Sequence, residues 1–155
     1  MLRLRLDVPV SAQEKANSCW NTAAFMIWLY WQKQTGKQGP MNTVSSAYEI
    51  ADTTALPYAQ FITLAKKVGL QSLPVKNQHL ELDLYGYLKN HGPVWCAGLW
   101  FGPGHVIVLS GIDASKVYFN DPDGGVRKEG TVKWFNEKLF TQWIGCLMVK
   151  DAKAY

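Results

Sequence analysis

A single cysteine stands where a polar segment gives way to a long apolar one, and this junction constrains the fold most. After Cys19, apolar residues recur at positions 20, 23, 24, 27, 28 and 31, the spacing of one helical face. Further apolar residues at 25, 26, 29 and 30 predict a helix that is buried on nearly all sides and runs to about residue 33. Asn17 or Ser18 can cap its start, and Gly36 can end it. Cys19 then lies in the first turn, where unpaired N–H groups and the helix dipole favour a thiolate.

The composition narrows the class of protein. The 155 residues suit one domain, which we predict over residues 1–155. A net charge of +4, with no basic run longer than a pair of residues, argues against a nucleic acid partner. No stretch approaches the roughly eighteen consecutive apolar residues of a membrane span, and the first residues lack a signal peptide's apolar region.

The remaining cysteines and histidines predict neither a disulfide scaffold nor a metal site. Three cysteines form an odd set without metal-ligand spacing, so we expect no cofactor. Cys96 and Cys146 lie in apolar runs and are predicted to be buried core residues. His79 and His91 lie at the edges of predicted helices, where we expect them to be solvated.

The order of predicted elements indicates an α+β domain. The first half carries helical patterns, and the second half carries β-rich runs separated by turn residues. We therefore expect an N-terminal helical half, with the cysteine-bearing helix at its centre, packed on a C-terminal antiparallel sheet with a cleft between them. The predicted helices cover residues 19–33, 43–51, 58–68, 80–90 and 131–140. The predicted strands cover 70–75, 94–100, 106–112, 116–120, 126–128 and 144–149, and residues 2–10 are predicted to form an extended arm.

Candidate partners for a reactive thiol lie at the ends of two predicted strands. Nucleophilic cysteine catalysis needs a thiolate, a base and a group that orients the base. His105 begins one strand and Asp121 ends the next, and antiparallel neighbours would bring these ends together. Asp121 could hold one ring nitrogen of His105 while the other faces Cys19. Gln13 and the Cys19 backbone N–H could donate to a developing oxyanion.

Two neighbouring residues are candidates for the group that orients His105. Asn120 adjoins Asp121, and strand alternation directs their side chains to opposite faces, so only one can orient His105.

These segments resemble the active-site segments of papain-like cysteine peptidases. The resemblance rests on Gln13 with Ser18-Cys19-Trp20, on Gly104-His105-Val106-Ile107-Val108, and on Tyr118-Phe119-Asn120-Asp121-Pro122. The short form is most similar to bacterial members, namely peptidases that cut double-glycine leaders and avirulence-type effector proteases of plant pathogens. The stretches Val8-Pro9-Val10, Gln13-Glu14-Lys15 and Asn17-Ser18-Cys19-Trp20 are closest to the effector type.

The resemblance implies a papain-like fold and a thiol peptidase that cleaves peptide or isopeptide bonds through an acyl-enzyme. Cys19 would be the nucleophile, His105 the base, Asp121 the orienting acid and Gln13 the oxyanion donor. Asp121 is favoured over Asn120 because it precedes Pro122, as in the bacterial pattern, although larger papain-like enzymes use Asn. Those enzymes also have Gly-Ser or Gly-Ala before the cysteine, where this chain has Ala16-Asn17-Ser18.

The same resemblance implies a peptide or protein substrate and a bacterial protein secreted into a target cell, with a cognate inhibitor if it is a toxin. Two other functions use the same residues. The scaffold could act as a deamidase, a transglutaminase or a peptidoglycan amidase, because only substrate pockets separate these activities. It could also be a catalytically degenerate module that binds a peptide, although such a module has no need of Cys19, His105, Asp121 and Gln13 together.

Overall fold

The computed structural model describes residues 2–15, 18–37, 39–40 and 60–155. The predicted helix over 43–51, and the candidate cap Asn17, lie outside these residues. The described helices are α1 (Cys19–Thr35), α2 (Phe61–Lys67), α3 (Glu81–His91) and α4 (Val132–Lys138). The strands are β1 (Arg3–Arg5), β2 (Leu70–Ser72), β3 (Val94–Gly98), β4 (His105–Asp113), β5 (Lys116–Asp121), β6 (Val126–Thr131) and β7 (Leu147–Lys150).

One antiparallel sheet of seven strands organises the described residues. Its order is β2-β7-β3-β4-β5-β6, and β1 pairs with β4 beside β3. The long strand β4 therefore lies at the centre, with β5 along one edge and β3 and β1 along the other. Together with the helices, this sheet confirms the predicted α+β fold.

Helices cover both faces of the sheet, and this explains the continuous apolar runs of the strands. On one face, residues of α1 and α2 join a core with Trp95, Val106 and Val108. On the other face, residues of α3 and α4 join a core with Ile107 and Leu109. Strand β3 consequently has every residue buried. Within the described residues, no helix is long and apolar enough to cross a membrane.

Helix α1 begins and ends as its sequence predicts. Ser18 occupies the N-cap position, but its hydroxyl donates to the Lys15 carbonyl oxygen at 2.9 Å and not into the helix. At the other end, Gly36 adopts a left-handed φ of 71°, and its N–H donates to the Gln32 carbonyl oxygen at 2.7 Å. The first turns of α1 are buried on nearly all sides, whereas the last turn is exposed.

The expectation that His79 is solvated is wrong, because this side chain is 0% exposed. Asn136 of α4 holds its backbone on both sides, accepting from the His79 N–H at 2.6 Å and donating to its carbonyl oxygen at 2.8 Å. Its Nδ1 is hydrogen-bonded to the Tyr87 hydroxyl at 2.9 Å. His91, at the end of α3, is partly exposed.

Candidate active site

The residues that the sequence singled out come from separate elements. Cys19 is the first residue of α1 and is partly buried. His105 is the first residue of β4, and Asp121 is the last residue of β5. Strand pairing decides which of these side chains share a face of the sheet.

A β-bulge in β4 sets the register of this pairing. The register with β5 shifts between Leu109 and Gly111, which leaves Ser110 as an extra residue. The carbonyl oxygen of Ser110 accepts a hydrogen bond from the Leu6 N–H at 2.8 Å. The N-terminal arm, residues 2–15, thus satisfies a backbone group at the bulge.

The bulge brings Asp121 to the same face as His105. Beyond it, Val108 pairs with Asn120, so Asp121 lies across from Ile107. Facing residues share a face of a sheet, and so do residues two apart on one strand, which puts His105, Ile107 and Asp121 together. Without the extra residue, the register would slip by one and direct the Asp121 side chain to the opposite face.

The Asp121 carboxylate is 1% exposed and accepts several hydrogen bonds. His105 Nε2 lies 2.6 Å from its Oδ1 atom, which also accepts from the Asp123 N–H at 2.9 Å. Lys128 Nζ donates to the Oδ2 atom at 2.8 Å. Because the carboxylate binds Nε2, the Nδ1 atom of His105 is left for a different partner.

The surroundings shift both pKa values of the pair. Burial lowers the pKa of His105, but the hydrogen bond to Asp121 and the hydrogen bond and charge of Cys19 outweigh burial and raise this pKa to about 9. Burial raises the pKa of Asp121, but His105, Lys128 and the Asp123 N–H outweigh it and lower this pKa. The geometry therefore favours an imidazolium beside a carboxylate, with the Cys19 thiol coupled to the same ring.

The Asn120 side chain is directed away from this pair. Its Nδ2 donates to the Val8 carbonyl oxygen at 3.0 Å and lies 3.8 Å from the Met26 sulfur in α1. Asn120 thus ties the N-terminal arm to the face of the sheet that α1 covers.

Gln13 lies beside the turn that follows Asp121. Its backbone N–H donates to the Pro122 carbonyl oxygen at 2.8 Å, and its side-chain Nε2 donates to the Lys15 carbonyl oxygen at 3.0 Å. The amide therefore has a partner within its own segment, and its role as an oxyanion donor stays a prediction.

Two further residues, Lys128 and Phe101, lie beside the site. Lys128 in β6 pairs with Phe119 in β5. The predicted hairpin between these strands could therefore have indicated that Lys128 lies on the same face of the sheet as Phe119. Phe101, which follows β3, has its ring centroid 6.4 Å from that of His105. A groove of about 510 Å³ opens here, lined in part by Phe101, Phe119, Lys128 and Trp134.

Trp100, the sequence neighbour of Phe101, is buried in the core. Among the described residues, no cluster of three His, Cys, Asp or Glu side chains could hold a metal ion.

Comparison with known proteins gives the fold and the family. The structure is similar to that of a double-glycine motif protease from an AMS/PCAT transporter, solved in complex with the leader peptide, with a TM-score of 0.56 and 19% sequence identity. The match covers 94% of this chain and 91% of that one. A search of the curated proteins found no match. A family model described as papain-like cysteine protease AvrRpt2 matches residues 2–140. The match spans most of the sequence, so the chain belongs to this family and is a cysteine protease with a papain-like fold.

Proposed function

We propose that the protein hydrolyses peptide bonds through an acyl-enzyme on Cys19, with His105 as the proton carrier and Asp121 as its orienting group. The observation that carries the proposal is the 2.6 Å contact between His105 Nε2 and the buried Asp121 carboxylate. It fixes the ring so that Nδ1 is available to the thiol at the start of α1.

The chemistry follows from these positions. The Cys19 thiolate attacks the substrate carbonyl carbon, and the carbonyl π electrons move to oxygen as the C–S bond forms. The oxyanion then collapses, the C–N bond breaks, and the His105 imidazolium gives its proton to the departing amine. Water attacks the thioester, His105 takes a proton from it, and a carboxylic acid leaves as the thiolate is restored.

The raised pKa of His105 suits this sequence of steps. With a pKa of about 9, the ring stays protonated at neutral pH and can donate to the amine when the C–N bond breaks. A neighbouring imidazolium also stabilises the thiolate that begins the reaction. The dipole of α1, whose N-terminal end lies at Cys19, adds further positive potential beside the thiol.

The position of the substrate follows from proton transfer. Because His105 must protonate the leaving amine, the leaving half of the substrate lies on the His105 side of the thiol. We place that half along the groove that begins at Phe101. The double-glycine motif protease was solved in complex with a leader peptide, which is a peptide chain of the kind that such a groove would accept.

As the group that orients His105, Asp121 is better supported than Asn120. Its carboxylate contacts His105, whereas the Asn120 amide binds the Val8 carbonyl oxygen. A charged acceptor also stabilises an imidazolium more than a neutral amide does.

The proposal is tested by comparing the wild type with Cys19→Ala in a proteome digest analysed by mass spectrometry. We expect new peptide termini with the wild type alone. Deamidated glutamines or amide cross-links without new termini would instead indicate the related acyl-transfer activities. A second assay uses a thiol-reactive peptide electrophile, which should label Cys19 at neutral pH. Absence of both labelling and new termini would leave the binding module as the better hypothesis.

We also propose an effector role, which the resemblance of residues 8–20 to avirulence-type effector proteases implies, in which the protein is secreted by a bacterium and cleaves proteins of a target cell. The test is to express the wild type and Cys19→Ala in target cells and compare their protein N-termini. Cleavage of defined host proteins by the wild type alone would support this role, and equal N-terminal profiles would contradict it. A producing cell that such a toxin can harm would need a cognate inhibitor.

A further inference from the structure

Lys128 contacts the one oxygen of the Asp121 carboxylate that neither His105 nor the Asp123 N–H binds. Its Nζ lies 2.8 Å from Oδ2, while His105 and the Asp123 N–H share Oδ1. The Lys128 side chain is 38% exposed, whereas Asp121 is 1% exposed. Lys128 therefore reaches from the solvent side of β6 to a carboxylate that is itself closed off from water.

The same ammonium group also covers an aromatic ring. Lys128 Nζ lies 4.1 Å from the centroid of Phe101, within cation–π distance. Phe101 is 52% exposed and follows the end of β3, and its ring lies beside His105. Lys128 thus contacts both the solvent-facing ring and the buried carboxylate, and it is one of the residues that line the groove.

From these contacts we propose that Lys128 is a positioning residue that locks the Asp121 carboxylate in the orientation that holds His105, and keeps the Phe101 ring beside His105. The inference rests on the proposed triad. The terminal torsion of an aspartate is broad, so one hydrogen-bonded oxygen does not fix the carboxylate. A donor on the second oxygen does fix it, and it also supplies the hydrogen bond that a buried charge requires.

Because Lys128 is positively charged, its role in positioning Asp121 can be distinguished from a purely electrostatic effect on His105. A positive charge beside the pair disfavours the imidazolium, so removing it without movement would raise the pKa of His105. If Lys128 instead holds the carboxylate in place, its loss frees Asp121, and the pKa of His105 falls from about 9 towards 6.5. The two roles thus predict opposite changes in the pKa of His105 when Lys128 is replaced.

The test compares Lys128→Met and Lys128→Arg with the wild type, and uses Lys116→Met as the matched control. Lys116 is an exposed lysine on the neighbouring strand, where it pairs with Glu129 at 3.8 Å. For Lys128→Met we expect kcat to fall roughly tenfold or more with little change in KM, since small misplacements of catalytic groups have large effects on rate. Lys128→Arg should recover most of kcat, because it keeps a charged donor, and Lys116→Met should match the wild type.

An NMR titration of the His105 ring gives a readout that does not depend on turnover. In Lys128→Met we expect a lower His105 pKa and faster solvent exchange of the Nε2 proton. An unchanged or raised pKa, or a kcat within about twofold of the wild type, would overturn the proposal. If the wild type itself does not cleave peptides, the proposed function fails, and the titration still decides whether Lys128 positions Asp121.

Discussion

Replacing Asp121 by Ala tests the central electrostatic argument of the site. The carboxylate is buried and hydrogen-bonded to His105, and this contact is one of the causes that raise the pKa of His105 from 6.5 to about 9. That difference corresponds to roughly 3 kcal/mol of preference for the imidazolium, shared between Asp121 and Cys19. The substitution should therefore lower the His105 pKa by a large part of this difference.

The size of the effect on activity follows from the protonation of His105. With a pKa of about 9, the ring is almost fully protonated at pH 7.5. With a pKa near 6.5, about one tenth of the rings would be protonated at that pH. We expect Asp121→Ala to lower kcat at least tenfold at pH 7.5, because the loss of protonated His105 is joined by the loss of the contact that orients the ring. The basic limb of the pH–rate profile should move to lower pH. Asp121→Asn should keep part of the activity, because its amide oxygen can still accept from Nε2.

The assay is kcat against pH for a peptide that contains a cut site from the digest, together with an NMR titration of His105. Asn120→Ala is the matched control. This change removes a buried hydrogen bond to Val8 and should reduce stability by about 1–3 kcal/mol, without moving the basic limb. A basic limb at the same pH in the wild type and Asp121→Ala, or a larger shift in Asn120→Ala, would refute the reasoning.

The free energy of unfolding should also depend on pH, because folding shifts the pKa values of both His105 and Asp121. His105 has a raised pKa in the folded state, so its contribution is complete below pH 6.5 and is lost as pH rises through about 9. Asp121 has a lowered pKa, so its contribution is present above 3.8 and is lost as pH falls through its folded value. The difference in the free energy of unfolding between the wild type and Asp121→Ala should consequently be largest between pH 3.8 and pH 6.5.

Three further predictions concern other residues. Cys19 should alkylate much faster in the folded protein than Cys96 or Cys146, since both are buried and burial raises their pKa; mass spectrometry of timed labelling measures this, and equal rates would contradict it. Gln13→Ala should lower kcat by roughly 10- to 1000-fold if its amide meets the oxyanion, whereas a fall in melting temperature that explains the loss would make it structural. Burial lowers the pKa of His79 below 6.5, so stability should fall as pH drops below that value, and fall less in His79→Gln when unfolding is followed against pH.

The sequence predicted the fold class and the positions of the main strands because apolar runs and turn residues are local signals. The bulge at Ser110 was not predictable in the same way. Residues 106–109 are buried on both faces of the sheet, so the polar–apolar alternation that would reveal the register is absent. The register instead depends on pairing with β5 and on the Leu6 N–H, which are contacts between distant parts of the chain.

The polar residues missed by the sequence have a similar explanation. His79 was expected at a solvated helix edge, but Asn136 from α4 encloses its backbone, and no local pattern records that contact. In the sequence, Lys128 looks like an ordinary exposed lysine of an edge strand. Its importance comes from the cross-strand register with Phe119, which turns it to the Asp121 side of the sheet.

The N-terminal arm links the register of the sheet to the position of the nucleophile. Its Leu6 N–H binds the bulge at Ser110, its Val8 carbonyl oxygen binds Asn120, and its Gln13 N–H binds the Pro122 carbonyl oxygen. These contacts follow the β4–β5 pair from the bulge to the turn beyond Asp121, and the chain then leads into α1. The segment that delivers Cys19 is thus anchored to the strands that carry His105 and Asp121. Because Asn120 makes one of these contacts, its amide is committed to the arm, and the alternation of β5 leaves Asp121 to meet the histidine.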